Sequence, residues 1–154
     1  MTRTRAGTRA GGFSLIELIV VLGLTSVVAG AAVPSITAGM RRYSLVTASQ
    51  QVVSTIRSAR HQAVGRNATL RVRFDYPAND QYQVLDAADA AVGAVQYLPQ
   101  GAAFGTVSGD IQIDTSGRIR DLTGSPTTET IVVSNDDGQT RTITVSASGR
   151  VQLP

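Results

Sequence analysis

Cysteine, lysine and tryptophan are absent from this chain of 154 residues, and histidine occurs once. Without cysteine the chain forms no disulfide and no thiolate metal site. With His61 as the only histidine, a two-histidine metal site cannot form within one chain. A catalytic triad, which needs a histidine as its base, is not expected either. No glycine-rich phosphate loop lies between a strand and a helix. These absences predict a protein that is not an enzyme and that carries no cofactor.

The positive charges are all arginines, and they are unevenly placed. Three of the 14, Arg3, Arg5 and Arg9, precede residue 12 with no acidic residue among them. If that segment is removed, 11 basic side chains remain against 11 acidic ones. The remaining chain is then close to neutral and lacks the basic field that is typical of nucleic-acid-binding proteins.

One apolar run, from Phe13 to Val33, is long enough to cross a membrane. As a helix its first twenty residues measure about 30 Å, which matches the hydrocarbon core of a bilayer. The three arginines before the run outnumber Arg41 and Arg42 after it, which places the N-terminus in the cytoplasm and the bulk of the chain outside. Pro34 follows the run directly, and we expect it to kink the helix there.

Glu17 is the only charged residue inside this apolar run. A carboxylate at membrane depth costs roughly 2.5–3.5 kcal/mol, so a segment that only spans a membrane would lack it. An intramembrane acid indicates a functional site with a specific partner. Cleavage of the chain after Gly12 would provide that partner, because Phe13 would then carry a new α-amine four residues before Glu17.

Residues 11–18, Gly-Gly-Phe-Ser-Leu-Ile-Glu-Leu, resemble the N-terminal motif of type IV pilins and of the pseudopilins of type II secretion. The resemblance implies that a prepilin peptidase cuts between Gly12 and Phe13, that Phe13 is N-methylated, and that Glu17 is used in assembly. It implies as partners the peptidase, other pilin or pseudopilin subunits, and inner-membrane lipid. It also implies a single pass through the bacterial inner membrane, with a periplasmic C-terminal domain, followed by incorporation into a filament or pseudopilus.

After Pro34 the apolar residues recur at helical spacing up to Gly65, which is expected to end the helix. We expect this stripe to pack on the folded domain; it comprises Ile36, Met40, Tyr43, Val46, Val53, Ile56 and Ala63. The arginines between these positions, and His61, are expected on the solvated face.

Beyond Gly65 the apolar residues alternate with polar ones, which indicates half-buried strands. Asn135–Gly138 is a strong hairpin signal. The predicted strands are 70–75, 82–85, 96–98, 110–114, 118–120, 130–134, 141–146 and 150–153. A long helix followed only by strands predicts an α+β protein in which the helix packs on antiparallel sheets. The resemblance implies that this arrangement is the pilin-like fold.

The predicted organisation has four segments. Residues 1–12 form a leader peptide, and residues 13–33 a transmembrane and assembly helix. Residues 34–65 continue that helix as an amphipathic segment, and residues 66–154 form a β-rich periplasmic domain. Residues 114–119, 132–134 and 145–151 of this domain resemble the GspH/FimT branch of minor pseudopilins and minor pilins. The function implied is that of a minor pilin-like subunit.

Two alternatives remain open. The FimT branch has a Gly-Arg-x-Arg near its C-terminus, and it suggests a minor pilin that binds DNA in natural transformation. In this chain Arg118 and Arg120 form that pattern at an earlier turn. At the C-terminus, Arg150 is the first arginine of the pattern, but Gln152 stands at the position of the second. The other alternative is a secreted β-rich domain cut by signal peptidase after Ala31, because residues 29–31 fit the small-x-small cleavage rule.

Three aspartates are candidate ligands of a hard cation: Asp110, Asp114 and Asp121. Their spacing fits no calcium loop, so we expect them on the solvent-facing side of strands and turns and predict no metal.

Overall fold

The computed structural model describes residues 12–107 and 109–153, without the side chains of residues 32–35, 106 and 107. Arg3, Arg5 and Arg9 of the predicted leader lie outside the described residues. The elements in chain order are α1 (Leu15–Arg66), β1 (Leu70–Phe74), β2 (Gln81–Asp86), β3 (Gln96–Tyr97), β4 (Ala102–Val107), β5 (Ile111–Ile113), β6 (Ile119–Arg120), β7 (Glu129–Asn135), β8 (Thr140–Val145) and β9 (Val151–Gln152).

The α1 helix has 52 residues and continues past Pro34, so the proline does not end it. The kink expected at Pro34 stays a prediction. The chain divides into two units, Met1–Ala38 and Gly39–Pro154, and α1 contributes to both. The segment boundaries predicted from the sequence also stay predictions.

The strands form two sheets, and every pair of neighbouring strands is antiparallel. One sheet has the order β3-β2-β1-β5-β6, and the other has the order β4-β7-β8-β9. The β7–β8 hairpin turns at Asn135–Gly138, where Gly138 adopts a φ of +72°. The predicted α+β arrangement of one long helix with antiparallel sheets is confirmed. The β4 strand is an addition, since no strand was predicted between residues 98 and 110.

The core of the second unit lies where α1 meets the sheets. Phe74 and Tyr82 of the first sheet contact Phe104 of the second, with ring centroids 5.5 and 5.9 Å away from that of Phe104. Alternating strand residues such as Val72 and Ile143 are fully buried beside them. The buried positions of α1 are Leu45, Ala48, Ser49, Val52, Val53, Ile56, Ala59 and Ala63.

The first part of the predicted helix stripe is wrong. Ile36, Met40 and Tyr43 are all exposed, whereas Val53 and Ile56 lie in the core as expected. At 3.6 residues per turn, Tyr43 and Ile56 point about 140° apart around the helix axis. Because the predicted stripe was extended by steps of three and four residues, its first part lies on a different face of the helix from the one that meets the sheets. Leu45 occupies the buried position that was expected for Tyr43.

Candidate assembly site and arginine turns

The residues at the predicted cleavage point precede α1. Gly12, Phe13 and Ser14 are not helical, and Phe13 is 85% exposed. A Cβ atom added at Gly12 would contact nothing within 4 Å in the described part of the chain. Packing against the described residues therefore gives no reason for glycine at position 12, and recognition of this glycine by a peptidase stays a prediction.

The first half of α1 presents apolar side chains on all sides. The exposed ones include Leu15, Ile16 and Leu24, and this part of α1 is long and apolar enough to cross a membrane. Its hydroxyl groups are satisfied within the helix: Thr25 Oγ1 donates to the Val21 carbonyl at 2.9 Å. Soluble proteins rarely leave an apolar surface of this extent in water, so it is typical of a segment that contacts lipid or other helices.

Glu17 lies in the first turn of α1 and is exposed. A negative charge there is favourable, because the N-terminal end of a helix carries partial positive charge. Ser14 and Glu17 also have the Ser-x-x-Glu spacing of a capping box, in which the two residues would satisfy free amide groups. Glu17 could therefore cap α1 or pair with an amine. A substitution that keeps one of these two roles and removes the other distinguishes between them.

Two turns that each carry a Gly-Arg pair lie against one another. Gly117 and Gly149 have φ values of +76° and +80°, which favour glycine. A Cβ atom at Gly149 would lie 2.2 Å from the carbonyl oxygen of Gly117, so the second turn approaches too closely for any side chain. The fold therefore brings together two segments that are more than thirty residues apart in sequence.

Arg60 joins these two turns to α1, contrary to the expectation of a solvated arginine. Its Nε donates to the Gly117 carbonyl at 2.9 Å, and its Nη1 and Nη2 approach the Gly149 and Ser148 carbonyls at 3.3 and 3.4 Å. The guanidinium is thus engaged with backbone acceptors of both turns. Nothing in the local sequence of Arg60 reveals these contacts; only its i, i+3 and i+4 spacing to Arg57 and His61 places the three side chains on one part of the helix surface.

The three arginines predicted to contact DNA differ in their surroundings. Arg118 and Arg150 are exposed. Arg120 is paired within the chain: its Nε donates to Asp114 Oδ2 at 2.7 Å, and its Nη1 donates to the Gly124 carbonyl at 2.8 Å. The juxtaposed turns bring the segments of Arg118 and Arg150 together, but Arg120 already has its partners. DNA binding at these residues stays a prediction.

The three aspartates considered for a cation do not form a cluster in the part of the chain that the structure describes. Asp110 pairs with Arg73 at 3.1 Å. Asp121 Oδ1 accepts hydrogen bonds within its own turn, and these lower the pKa of its carboxyl group. For Asp114, burial acts to raise the pKa, but hydrogen bonds from Ser116, Arg118 and Arg120 outweigh it and hold the pKa far below its usual range. Each carboxylate thus fixes local structure.

Comparisons with known proteins identify the family. The family model described as "Type II transport protein GspH" matches residues 48–149, and the "Prokaryotic N-terminal methylation motif" matches residues 7–33. The chain belongs to the GspH family. This GspH-family chain carries a motif that implies processing by prepilin peptidase and assembly with other pilin or pseudopilin subunits. A comparison with curated proteins finds no significant match.

Solved structures show the same fold. The type IV minor pilin FimU of Pseudomonas aeruginosa superposes with a TM-score of 0.59 at 16% identity, over 73% of this chain and 90% of the FimU chain. The minor pseudopilin EpsH of the Vibrio cholerae type 2 secretion system superposes with a TM-score of 0.53 at 14% identity, over 71% of this chain and 94% of that of EpsH. At such identities the likeness concerns the fold.

Taken with the family, these findings confirm that the GspH-family chain is a minor pilin-like subunit of a type II secretion system or of a type IV pilus. Such proteins are structural subunits that are anchored in a membrane through an N-terminal apolar helix and then assembled. The roles of Gly12, Phe13, Glu17 and Pro34 stay predictions.

Proposed function

We propose that this subunit acts by packing and not by catalysis. Prepilin peptidase cuts after Gly12, Phe13 is methylated, and the apolar half of α1 leaves the lipid for a bundle of like helices. Glu17 then pairs with the α-amine of Phe13, either its own or that of the subunit ahead. The observation that carries this proposal is that α1 exposes an apolar surface whose single acid lies in its first turn.

The topology follows from the same segment. We place the N-terminus in the cytoplasm, residues 13–33 in the inner membrane and the sheets in the periplasm, because the leader holds three arginines and no acid. The cost of Glu17 in lipid, roughly 2.5–3.5 kcal/mol, favours its transfer to a site with a cationic partner. Once the helix is surrounded by other helices, an unpaired carboxylate penalises any subunit that is out of register.

The cleavage site is supported by the exposure of residues 12–14 and by the fact that, among the described residues, nothing packs against Gly12. We expect the intact mass of the membrane-extracted protein to match a chain that begins at methylated Phe13. A mass matching a chain that begins at Ala32 would instead identify the secreted domain cut by signal peptidase after Ala31.

The role of Glu17 is tested by two substitutions. Glu17→Gln keeps the capping-box spacing but removes the charge, whereas Glu17→Leu removes both. If Glu17 pairs with an amine, both variants insert into the membrane normally but are depleted from sheared filament fractions. Thr25→Leu is the matched control, because it also makes the run more apolar while leaving the acid in place, and we expect it to be incorporated normally.

The outcomes separate the two tasks of Glu17. Normal incorporation of Glu17→Gln together with loss of Glu17→Leu would assign the residue to capping of α1. Normal incorporation of both variants would exclude any assembly role for the acid.

Of the proposed partners, DNA has the least support. Arg118 and Arg150 are exposed on adjoining turns, but Arg120 is paired with Asp114, and the chain after cleavage carries equal numbers of basic and acidic side chains. Any DNA binding should be independent of sequence and weaken as salt rises, with a log–log slope of about −0.9 per phosphate neutralised.

A further inference from the structure

A groove lies between the C-terminal half of α1 and the β9 strand. A cavity of about 660 Å³ is lined on the helix side by Arg57, Arg60 and His61, and on the other side by residues 148–151. A second cavity, of about 600 Å³, is lined by Arg57 together with Thr144 and residues 150–153. Because Arg57, Arg150 and Val151 line both cavities, they form one elongated depression, here called the β9 groove.

The β9 groove is cationic although the processed chain is nearly neutral. None of its lining residues is acidic, and three of them are arginines. Arg57, His61 and Arg150 are exposed, while the guanidinium of Arg60 is held by backbone carbonyl groups and adds its charge to the lining. A concave surface lined by one sign of charge raises the local concentration of ligands of the opposite sign.

β9 also offers unused backbone groups. Among the described strands it is the last of its sheet and pairs with β8 alone, in the register Val145 with Val151. Arg150 accepts the hydrogen bond from Ser146 N at 3.0 Å, so its carbonyl points toward β8. Since backbone groups alternate in direction along a strand, the N–H and C=O of Val151 point the other way, to the open edge of the sheet. An extended chain could pair there.

We propose that the β9 groove binds an extended acidic segment of another subunit of the same filament, which adds to the edge of β9 while its carboxylates meet Arg57 and Arg150. The proposal rests on the assembly role argued above, but it uses a different part of the molecule. Strand addition gives the segment its direction and spacing, and the arginines select acidic side chains over neutral ones.

The same residues fit a nucleic acid less well. Single-stranded nucleic acids are held mainly by large aromatic side chains on which bases stack, and no phenylalanine, tyrosine or tryptophan lines either cavity. Duplex binding relies on a broad basic face, whereas here the arginines lie in a groove on a chain of balanced charge. A carboxylate-bearing peptide needs only the two features that are present, namely a free strand edge and guanidinium groups.

The test uses the purified full-length protein in uncharged detergent micelles at low salt. The probe is a fluorescein-labelled peptide of alternating glutamate and valine, followed by fluorescence anisotropy. A second peptide has its central valine replaced by proline, which keeps the charge but removes a strand hydrogen bond. A short oligothymidine is the third probe. The variants are Arg57→Gln, Arg150→Gln and, as a matched control, Arg42→Gln, which removes an exposed arginine about 22 Å along the same helix from Arg57.

We expect the alternating peptide to bind, and each groove variant to weaken binding about three- to fivefold, as for a partly exposed ion pair. Arg42→Gln should bind as the unchanged protein does, and the proline peptide should bind more weakly. No binding at low salt, or equal weakening by Arg42→Gln, would overturn the groove as the site. Equal binding of the proline peptide would overturn strand addition, and tighter binding of oligothymidine would assign the groove to nucleic acid. None of these outcomes depends on Glu17, so they are distinct from a failure of the assembly proposal.

Discussion

Replacing Gly149 by alanine should destabilise the second unit strongly, because two constraints meet at this residue. Its φ of +80° lies in the left-handed region. A Cβ atom there would lie 2.2 Å from the Gly117 carbonyl oxygen and 2.8 Å from Arg60 Nε. The turn that holds Arg150 would therefore have to move away from the turn that holds Arg118, or the Arg60 guanidinium would have to leave both.

The magnitude follows from these two terms. A non-glycine residue in the left-handed conformation costs roughly 1–2 kcal/mol. An added methyl group that forces backbone shifts costs typically about 1–3 kcal/mol more. The free energy of unfolding should therefore fall by about 2–5 kcal/mol, a large part of the stability of an ordinary domain, which is about 5–15 kcal/mol.

Gly138→Ala is the matched control for the backbone term. Gly138 has a φ of +72°, but a Cβ atom there would contact nothing within 4 Å in the described part of the chain. It should cost only the conformational term of roughly 1–2 kcal/mol. Urea unfolding of both full-length variants in uncharged detergent, followed by circular dichroism, measures the difference. Equal losses of stability for Gly149→Ala and Gly138→Ala would refute the close packing of the two Gly-Arg turns.

The other predictions concern acid stability and the extent of the folded unit. Asp114→Asn should lower the free energy of unfolding by about 1–2 kcal/mol at neutral pH, because the charged acceptor of Arg120 is lost. The pKa of Asp114 is lowered in the folded state, so its contribution is fully present above the unfolded pKa of about 3.9 and is lost progressively as the pH falls from there through the lower folded-state pKa. Urea unfolding at several pH values should thus show the two proteins converging in acid, and a constant difference would contradict this. A fragment that begins at Gly39 should fold cooperatively and stay monomeric, whereas one that begins at Ala68 should aggregate, since it lacks Ile56 and the rest of the buried helix face. A monomeric, cooperatively folding fragment from Ala68 would show that the sheets do not need α1.

The regular parts of the fold could be predicted because their patterns are local. The alternation of Leu70, Val72 and Phe74 marks one strand, and the turn at 135–138 marks the β7–β8 hairpin. The β4 strand was not predicted, because its conformation depends on pairing with β7 and not on a regular alternation of apolar residues in its own sequence. Gly105 interrupts it, and its register shifts between Phe104 and Val107.

The candidate sites divide in the same way. Gly12, Phe13 and Glu17 lie within one short stretch of sequence, so the sequence alone is enough to predict their roles; the methylation motif covers their positions, and the roles stay predictions. The role of Arg60 depends on the carbonyl groups of residues 117, 148 and 149, which approach it only in the folded chain. The partner of Arg120, by contrast, lies only six residues away in Asp114, yet nothing in the sequence distinguishes this pair from two solvated side chains.

The charged side chains of this protein fall into those that have an ion-pair partner in the same chain and those that have none among the described residues. Within the second unit, partly buried arginines on the strands pair with acids of the same chain, as in the Arg71–Asp89, Arg73–Asp110 and Arg120–Asp114 pairs. Those charges are satisfied by folding. Glu17, Arg57 and Arg150 are different, since among the described residues the structure gives none of them an ion-pair partner. In the two proposals above, the acid in the apolar helix and the two arginines in the acid-free groove meet groups that other molecules supply, so that assembly and not folding would account for their charge.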